Sequence, residues 1–328
     1  IVLFSAWASA NVMGLLISDS FKTVVTIYIL IPFLVIPQII LSGIIVKYEK
    51  LNPTISSPSK IPFYGEIITA RWAYEGLATY QFMENDYEKH FYKTEKVMSI
   101  ANFKSNFLLK DLQNKLDFIT THTGDEEFAD KLTYNLALIK NELEEEYESR
   151  HIMKTYYDEV PGYSMKYLEQ LTPESLSPEV LDYTRNYLKA LTDKYSEIYK
   201  NSYRQNNEIK QSFELDKLQQ LRREHFNESL EEFVTNKNEF DRIVEYKGQL
   251  IQKTDPIFHD PTHTFIKAHF YAPRKMIFGT YLPTIWTNVI VIWLMTIILY
   301  IMLYYRVLKR TLDFFEDLSF KKKNPSNP

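Results

Sequence analysis

The chain has 328 residues, 38 of them basic and 42 acidic, for a formal net charge of −4, and it has no cysteine. A near-neutral balance excludes the electrostatic footprint of a nucleic-acid binder, and any domain outside the cytoplasm has to hold without disulfides. The mean hydropathy of −0.28 suggests a soluble protein, but it averages two populations, because residues 24–46 and 276–305 contain none of the charges.

Residues 1–17 are uncharged and are expected to be the end of an earlier transmembrane helix. Ser5, Ala6, Ala8, Ser9, Ala10 and Gly14 are small positions of the kind that let membrane helices approach closely. With no basic n-region or cleavage site, this start does not read as a signal peptide, and the chain is expected to be part of a longer membrane protein. Residues 24–46 form an uncharged run of the roughly 20-residue length that crosses a bilayer. Pro32 and Pro37 within it each delete a helix hydrogen bond, and the freed carbonyls must be satisfied by a neighbour or face a cavity. A helix lining a pathway is therefore expected there, rather than a passive anchor.

Residues 47–85 begin with the turn-rich LNPTISSPSKIP and continue into a mostly apolar stretch that carries Glu66, Arg71 and Glu75. Arg71 and Glu75 are one helical turn apart. The stretch is too short and too charged to cross, so it reads as an outer re-entrant or interfacial segment whose charges are paired or face water. An ordinary amphipathic helix of an outer domain is the alternative.

Residues 86–258 change character and read as a helical extracytoplasmic insertion. Leu132, Leu136, Ile139 and Leu143 make an apolar stripe at helical spacing. Ser177-Pro178-Glu179 is a helix start, with a capping hydroxyl, a proline suited to the first turn and an acid that complements the dipole. Leu181, Leu188, Leu191, Tyr195 and Ile198 continue one face, and one or two long helices are expected through 179–255 with a break near Asn206 and Asn207. Residues 259–275 then form an interfacial segment, 276–305 the last transmembrane helix, and 306–328 a tail with a short helix and a disordered end. Six basic residues in that tail place it in the cytoplasm and residues 47–275 outside. About 230 residues between Lys47 and Lys275 hold 31 basic and 38 acidic side chains, a net of −7.

Catalytic signals are lacking. There is no GxxxxGK[ST] loop, no GxSxG and no thiol, and glycines number only eight. His259, Asp260, His263 and His269 form the one metal-like cluster, but Pro261 interrupts the helical spacing that two histidines would need, so no metal site is expected. The acids of ELEEEYE at 142–148 read as a solvated helix face. No catalytic residue and no cofactor site is expected in the chain.

The membrane residues nevertheless resemble a known family. ASANVMGLLIS at 8–18, IPFLVIPQIILSGIIV at 31–46 and IITARWAYEGLATYQF at 67–82, followed by a last span, are similar to the second half of the membrane region of G-subfamily ABC transporters, the ABC-2 type permeases. The resemblance implies an all-α membrane protein with ABC-2 type transmembrane helices and a large helical extracytoplasmic domain. It implies an ATP-driven exporter moving an amphipathic or lipid-like substrate by alternating access. A second permease half would complete a dimer, and a nucleotide-binding domain, fused upstream or separate, would use ATP and Mg. The two bulky residues after Ser42-Gly43, here Ile44 and Ile45, would be the hydrophobic valve. Pro32, Val35, Ile36 and Ile39 would face the substrate cavity, and Arg71, Trp72, Tyr74, Glu75 and Leu77 would carry the outer re-entrant motif. Membrane lipids are expected partners. The outer loop is far longer than in the family, which points to an added module with a partner in the envelope of a bacterial inner membrane. A membrane-anchored sensor or scaffold with a helical partner-binding domain is the rival expectation.

Overall fold

The computed structural model describes residues 1–51, 57, 60–152, 164–261 and 265–323. Most of the turn-rich stretch after Leu51, His263 and the final residues of the tail lie outside them. The chain folds as two compact units, Ile1–Gln81 with Asp260–Pro328, and Phe82–His259, and it is mostly helical.

In the first unit, α1 (Val2–Ser20) and α12 (Thr284–Tyr304) are, among the described residues, the two helices long and apolar enough to cross a membrane. They pack in parallel: Val2 meets Val289 and Ile292 at one end, and Asp19 pairs with Arg306 at 3.4 Å at the other. Ser5 and Ser9 are buried, Ser9 with its hydroxyl 3.4 Å from that of Thr69, whereas Gly14 has open space beside it. Only part of the small-residue stretch is therefore buried. After α12, Arg306 takes φ 51° and the chain turns into α13 (Val307–Lys323).

Between these helices, α2 (Val24–Ile40) ends six residues before the expected end of its span. Its 17 residues reach about 25 Å at roughly 1.5 Å per residue, short of a hydrocarbon core about 30 Å thick. The stop is local. Ser42 Oγ donates to the Ile39 carbonyl at 2.7 Å, and Gly43 turns the chain at φ 80°, a conformation glycine adopts without strain. Pro32 and Pro37 sit inside the helix, and none of its residues is buried.

The expected last span is also too long at its start. Residues 274–277 (β1) pair antiparallel with 280–283 (β2), Met276 opposite Tyr281, around a two-residue turn in which Phe278 and Gly279 take φ 48° and 79°. Positive φ at both turn positions matches the twist of a tight hairpin. The uncharged run thus holds a hairpin and then a helix of 21 residues.

The second unit is built from α5 (Tyr92–Phe103), α6 (Leu109–His122), α7 (Ala129–Ile152), α8 (Met165–Glu169), α9 (Pro178–Gln211), α10 (Leu215–His225) and α11 (Glu228–Thr235). A π-turn at Lys104–Leu108 joins α5 to α6. Leu112, Leu116 and Ile119 of α6, Leu136, Ile139 and Leu143 of α7, and Leu188, Leu191 and Tyr195 of α9 share one core. Ser177 caps α9, accepting from the Val180 amide at 3.3 Å. The break expected near Asn206 and Asn207 comes a little later, at Ser212–Glu214, because the Asn206 side chain is buried and donates to Thr94 Oγ1 at 2.9 Å, tying α9 to α5.

Two further expectations fail here for physical reasons. The long helices end at Thr235, and Ile243–Tyr246 pairs with Gln249–Gln252 around Lys247 and Gly248 at φ 52° and 75°. The acids at 142–148 are not all solvated either. Glu142 and Glu146 lie on the buried face with Ile139 and Leu143, Glu142 accepting the Leu250 amide at 2.6 Å and Glu146 engaging Lys104 and the Tyr195 hydroxyl.

Candidate functional site

The chemistry of the first unit concentrates where two helices meet the start of α12. After Pro62 the chain forms a single helical turn, α3 (Phe63–Glu66), and then α4 (Thr69–Glu84). α4 lies beside α12, with Gly76 facing Ile285 and Asn288. Arg71 and Glu75, one turn apart on α4, meet Lys275 of β1 and Asn288 of α12 there. Arg71, Glu75, Lys275 and Asn288 are all at most 1 % exposed.

Their bonds converge on one atom. Glu75 Oε2 accepts from Arg71 Nη1 at 3.0 Å, from Lys275 Nζ at 2.6 Å and from Asn288 Nδ2 at 3.0 Å. Lys275 also donates to Asn288 Oδ1 at 3.1 Å, and Asn288 donates to the Trp72 carbonyl at 2.8 Å. Arg71 also donates to Glu66 and to the Gly65 carbonyl at 3.2 Å. The Trp72 indole donates to the Glu66 carbonyl at 2.8 Å and takes both cations on its face, Arg71 Cζ at 3.6 Å and Lys275 Nζ at 4.3 Å. Two cations thus meet two carboxylates, so the cluster is neutral. Buried charges survive only when paired and hydrogen-bonded in this way.

Burial pulls the Lys275 ammonium down to about 8, and the neighbouring Glu75 carboxylate only partly offsets it. For Glu75, burial favours the neutral form, but Lys275 and Arg71 outweigh it and hold the carboxyl below its ordinary range. Glu75 Oε1 is buried with no hydrogen-bond partner. No nucleophile and general base face each other here. The arrangement is a clamp that fastens the α3–α4 segment to the last helix.

A second contact fastens the end of α2. Tyr48 is 6 % exposed and donates its hydroxyl to the Leu41 carbonyl at 3.0 Å, one of those left unpaired where the helix stops. Its ring fills a notch between two glycines. A Cβ at Gly43 would lie 2.4 Å from Tyr48 Cε2, and one at Gly65 2.5 Å from its hydroxyl oxygen. Phe270 meets the ring edge-on at 5.7 Å and stacks on Tyr74 at 6.5 Å.

The expected site residues therefore divide into two groups. Arg71, Trp72 and Glu75 come together in the cluster and Tyr74 in the aromatic layer, while Leu77 points outward at 36 % exposure. Pro32, Val35, Ile36 and Ile39 share one exposed face of α2, and Ile45 is 66 % exposed in the turn beyond it, with Ile44 half-buried beside it. Asp260 is held by Arg274 through bonds of 2.6 and 2.7 Å.

Sequence reasoning did not assign Lys275, Asn288, Glu66 or Tyr48 to the site. Asn288 had a signal, since it is the one amide in the apolar run 284–304 and polar residues inside spans are costly unless used. Compared with protein-family models, curated proteins and solved structures, the chain matches none of them.

Proposed function

We propose that this chain is the permease part of an ATP-driven exporter, working as a dimer that moves an amphipathic or lipid-like substrate outward by alternating access. α2 carries this reading: it is a proline-bearing apolar helix with no buried residue, uncovered on every side, whose end is braced while its length is not. A helix held at one end and uncovered along its length suits a symmetric partner across a central pathway on its Pro32, Val35, Ile36 and Ile39 side. The parallel packing of α1 and α12 supports the topology this needs, with α2 running opposite to both and residues 47–275 outside. The clamp at Glu75 holds the re-entrant segment rigid against α12, so a movement of α12 carries the outer gate with it.

In this reading Pro32, Val35, Ile36 and Ile39 line the cavity, and Ile44 and Ile45 close it by excluding water against their symmetry mates. ATP and Mg act in a nucleotide-binding domain and not in these residues. The test uses the full-length transporter. Ile44→Ala and Ile45→Ala are expected to leave ATP hydrolysis running while export falls several-fold, the signature of uncoupling. Unchanged export and unchanged hydrolysis in both variants would contradict the assignment.

A further inference from the structure

The second unit contains a groove that the transport reading does not use. On α9 the inward face is filled by Leu188, Leu191 and Tyr195, but two turns later it carries Ser202 and Asn206. Opposite them α5 presents Thr94 and Ala101. Beside this helix contact lies an open groove of about 260 Å³. Its walls include Glu95, Ser99 and Asn102 from α5 and Tyr199, Tyr203 and Asn206 from α9.

Several polar groups in it keep unused capacity. Asn102 Oδ1 accepts from Asn106 at 2.7 Å, which leaves its amide hydrogens for a ligand. Asn206 is the reverse case, spending its amide nitrogen on Thr94 and keeping its carbonyl oxygen. Ser99 donates to Asp255 Oδ2 at 2.8 Å and remains an acceptor. Tyr199 and Tyr203, on successive turns, stack with their rings within 16° of parallel and centroids 6.4 Å apart, and Tyr203 is 50 % exposed. Glu95 and Lys210 give the groove one charge of each sign.

We propose that this groove binds a neutral hexopyranose unit. Its volume lies just below the roughly 300–1,000 Å³ of sites that take larger ligands, which suits a single ring. Aromatic faces are electron-rich and attract the weakly positive C–H face of a pyranose. Asn102, Asn206 and Ser99 supply donors and acceptors of the mixed kind that vicinal hydroxyls need. With its charges balanced, the groove has no excess field to select an ion. The assignment stands independently of the transport reading. A sugar ring could arrive free or as the head of a glycolipid, and the chemistry is the same.

The test places the full-length protein in phosphatidylcholine nanodiscs, so that no sugar-headed detergent competes. Saturation-transfer NMR is recorded with methyl β-glucoside, methyl β-galactoside and N-acetylglucosamine in excess, and then with discs carrying a glucosylated lipid. Transfer to the ring C–H protons of one face is expected, falling about fivefold in Tyr203→Ala as a stacking contact is lost. Asn102→Leu is expected to weaken it similarly, and Phe240→Ala, at a residue 98 % exposed, to leave it unchanged. A response confined to the glycolipid discs and lost in Tyr203→Ala supports the site and assigns its ligand to the membrane. No response in either arm, or one that survives both Tyr203→Ala and Asn102→Leu, overturns the proposal.

Discussion

Lys275 exchanges bulk water for one carboxylate oxygen, one amide and the face of Trp72. Removing one partner of a buried ion pair leaves the other charge unsolvated, at a cost of about 3–5 kcal/mol, whereas removing both charges together is far milder. Lys275→Ala is therefore expected to lower the thermal midpoint of the purified protein sharply, and Glu75→Gln with Lys275→Gln to recover much of the loss. Additive losses in the double variant would show that the two side chains do not act as a unit. The tyrosine notch makes a finer prediction. Tyr48→Phe gives up one hydrogen bond, worth about 1 kcal/mol. Gly65→Ala should cost more, because its new methyl meets the Tyr48 hydroxyl, and Tyr48→Phe should partly rescue it by removing that oxygen. Gly43→Ala should not be rescued, since its methyl meets the ring itself and its φ is positive. Rescue of both, or of neither, in thermal unfolding would place the ring elsewhere.

Among the elements, α7 and the hairpin strand at Gln249–Gln252 are joined by a buried carboxylate. Burial, only partly opposed by the Leu250 amide, lifts Glu142 to about 7. The folded state thus holds a proton that the unfolded chain releases above its ordinary value of 4.5. The stability linked to that proton is full below the unfolded value and is lost as pH rises through about 7. Glu142→Gln keeps an acceptor for the Leu250 amide without the ionisation. Relative to the unmutated protein it should gain about 1–3 kcal/mol between pH 5 and pH 8, read by hydrogen exchange of α7 and strand peptides. A difference independent of pH would contradict the raised value.

Much of this level was legible in the sequence. The α9 start at Ser177-Pro178 and the stripes of α7 and α9 follow from capping and helical spacing, which are local. The hairpins were not, because a charge-free run looks the same whether residues 276–283 fold as strands or as helix. What distinguishes them is a pair of positive φ values at Phe278 and Gly279. The cluster was half legible: Arg71 and Glu75 announce a pair by their spacing, but Lys275 and Asn288 join them from some 200 residues away, and nothing local encodes that meeting.

For the molecule as a whole, the two helices long enough to span, the shorter α2 and the buried clamp between them make one consistent unit. The second unit has its own core and its own candidate ligand. In the proposed exporter the turn beyond α2 meets its counterpart in a second copy. The chain has no cysteine, so a single thiol reports one place. Ile45→Cys in the full-length protein, oxidised in native membranes, is expected to give a disulfide-linked dimer whose yield falls when ATP is supplied. A thiol at that position that labels freely from the lipid phase and never links to its mate would contradict the account.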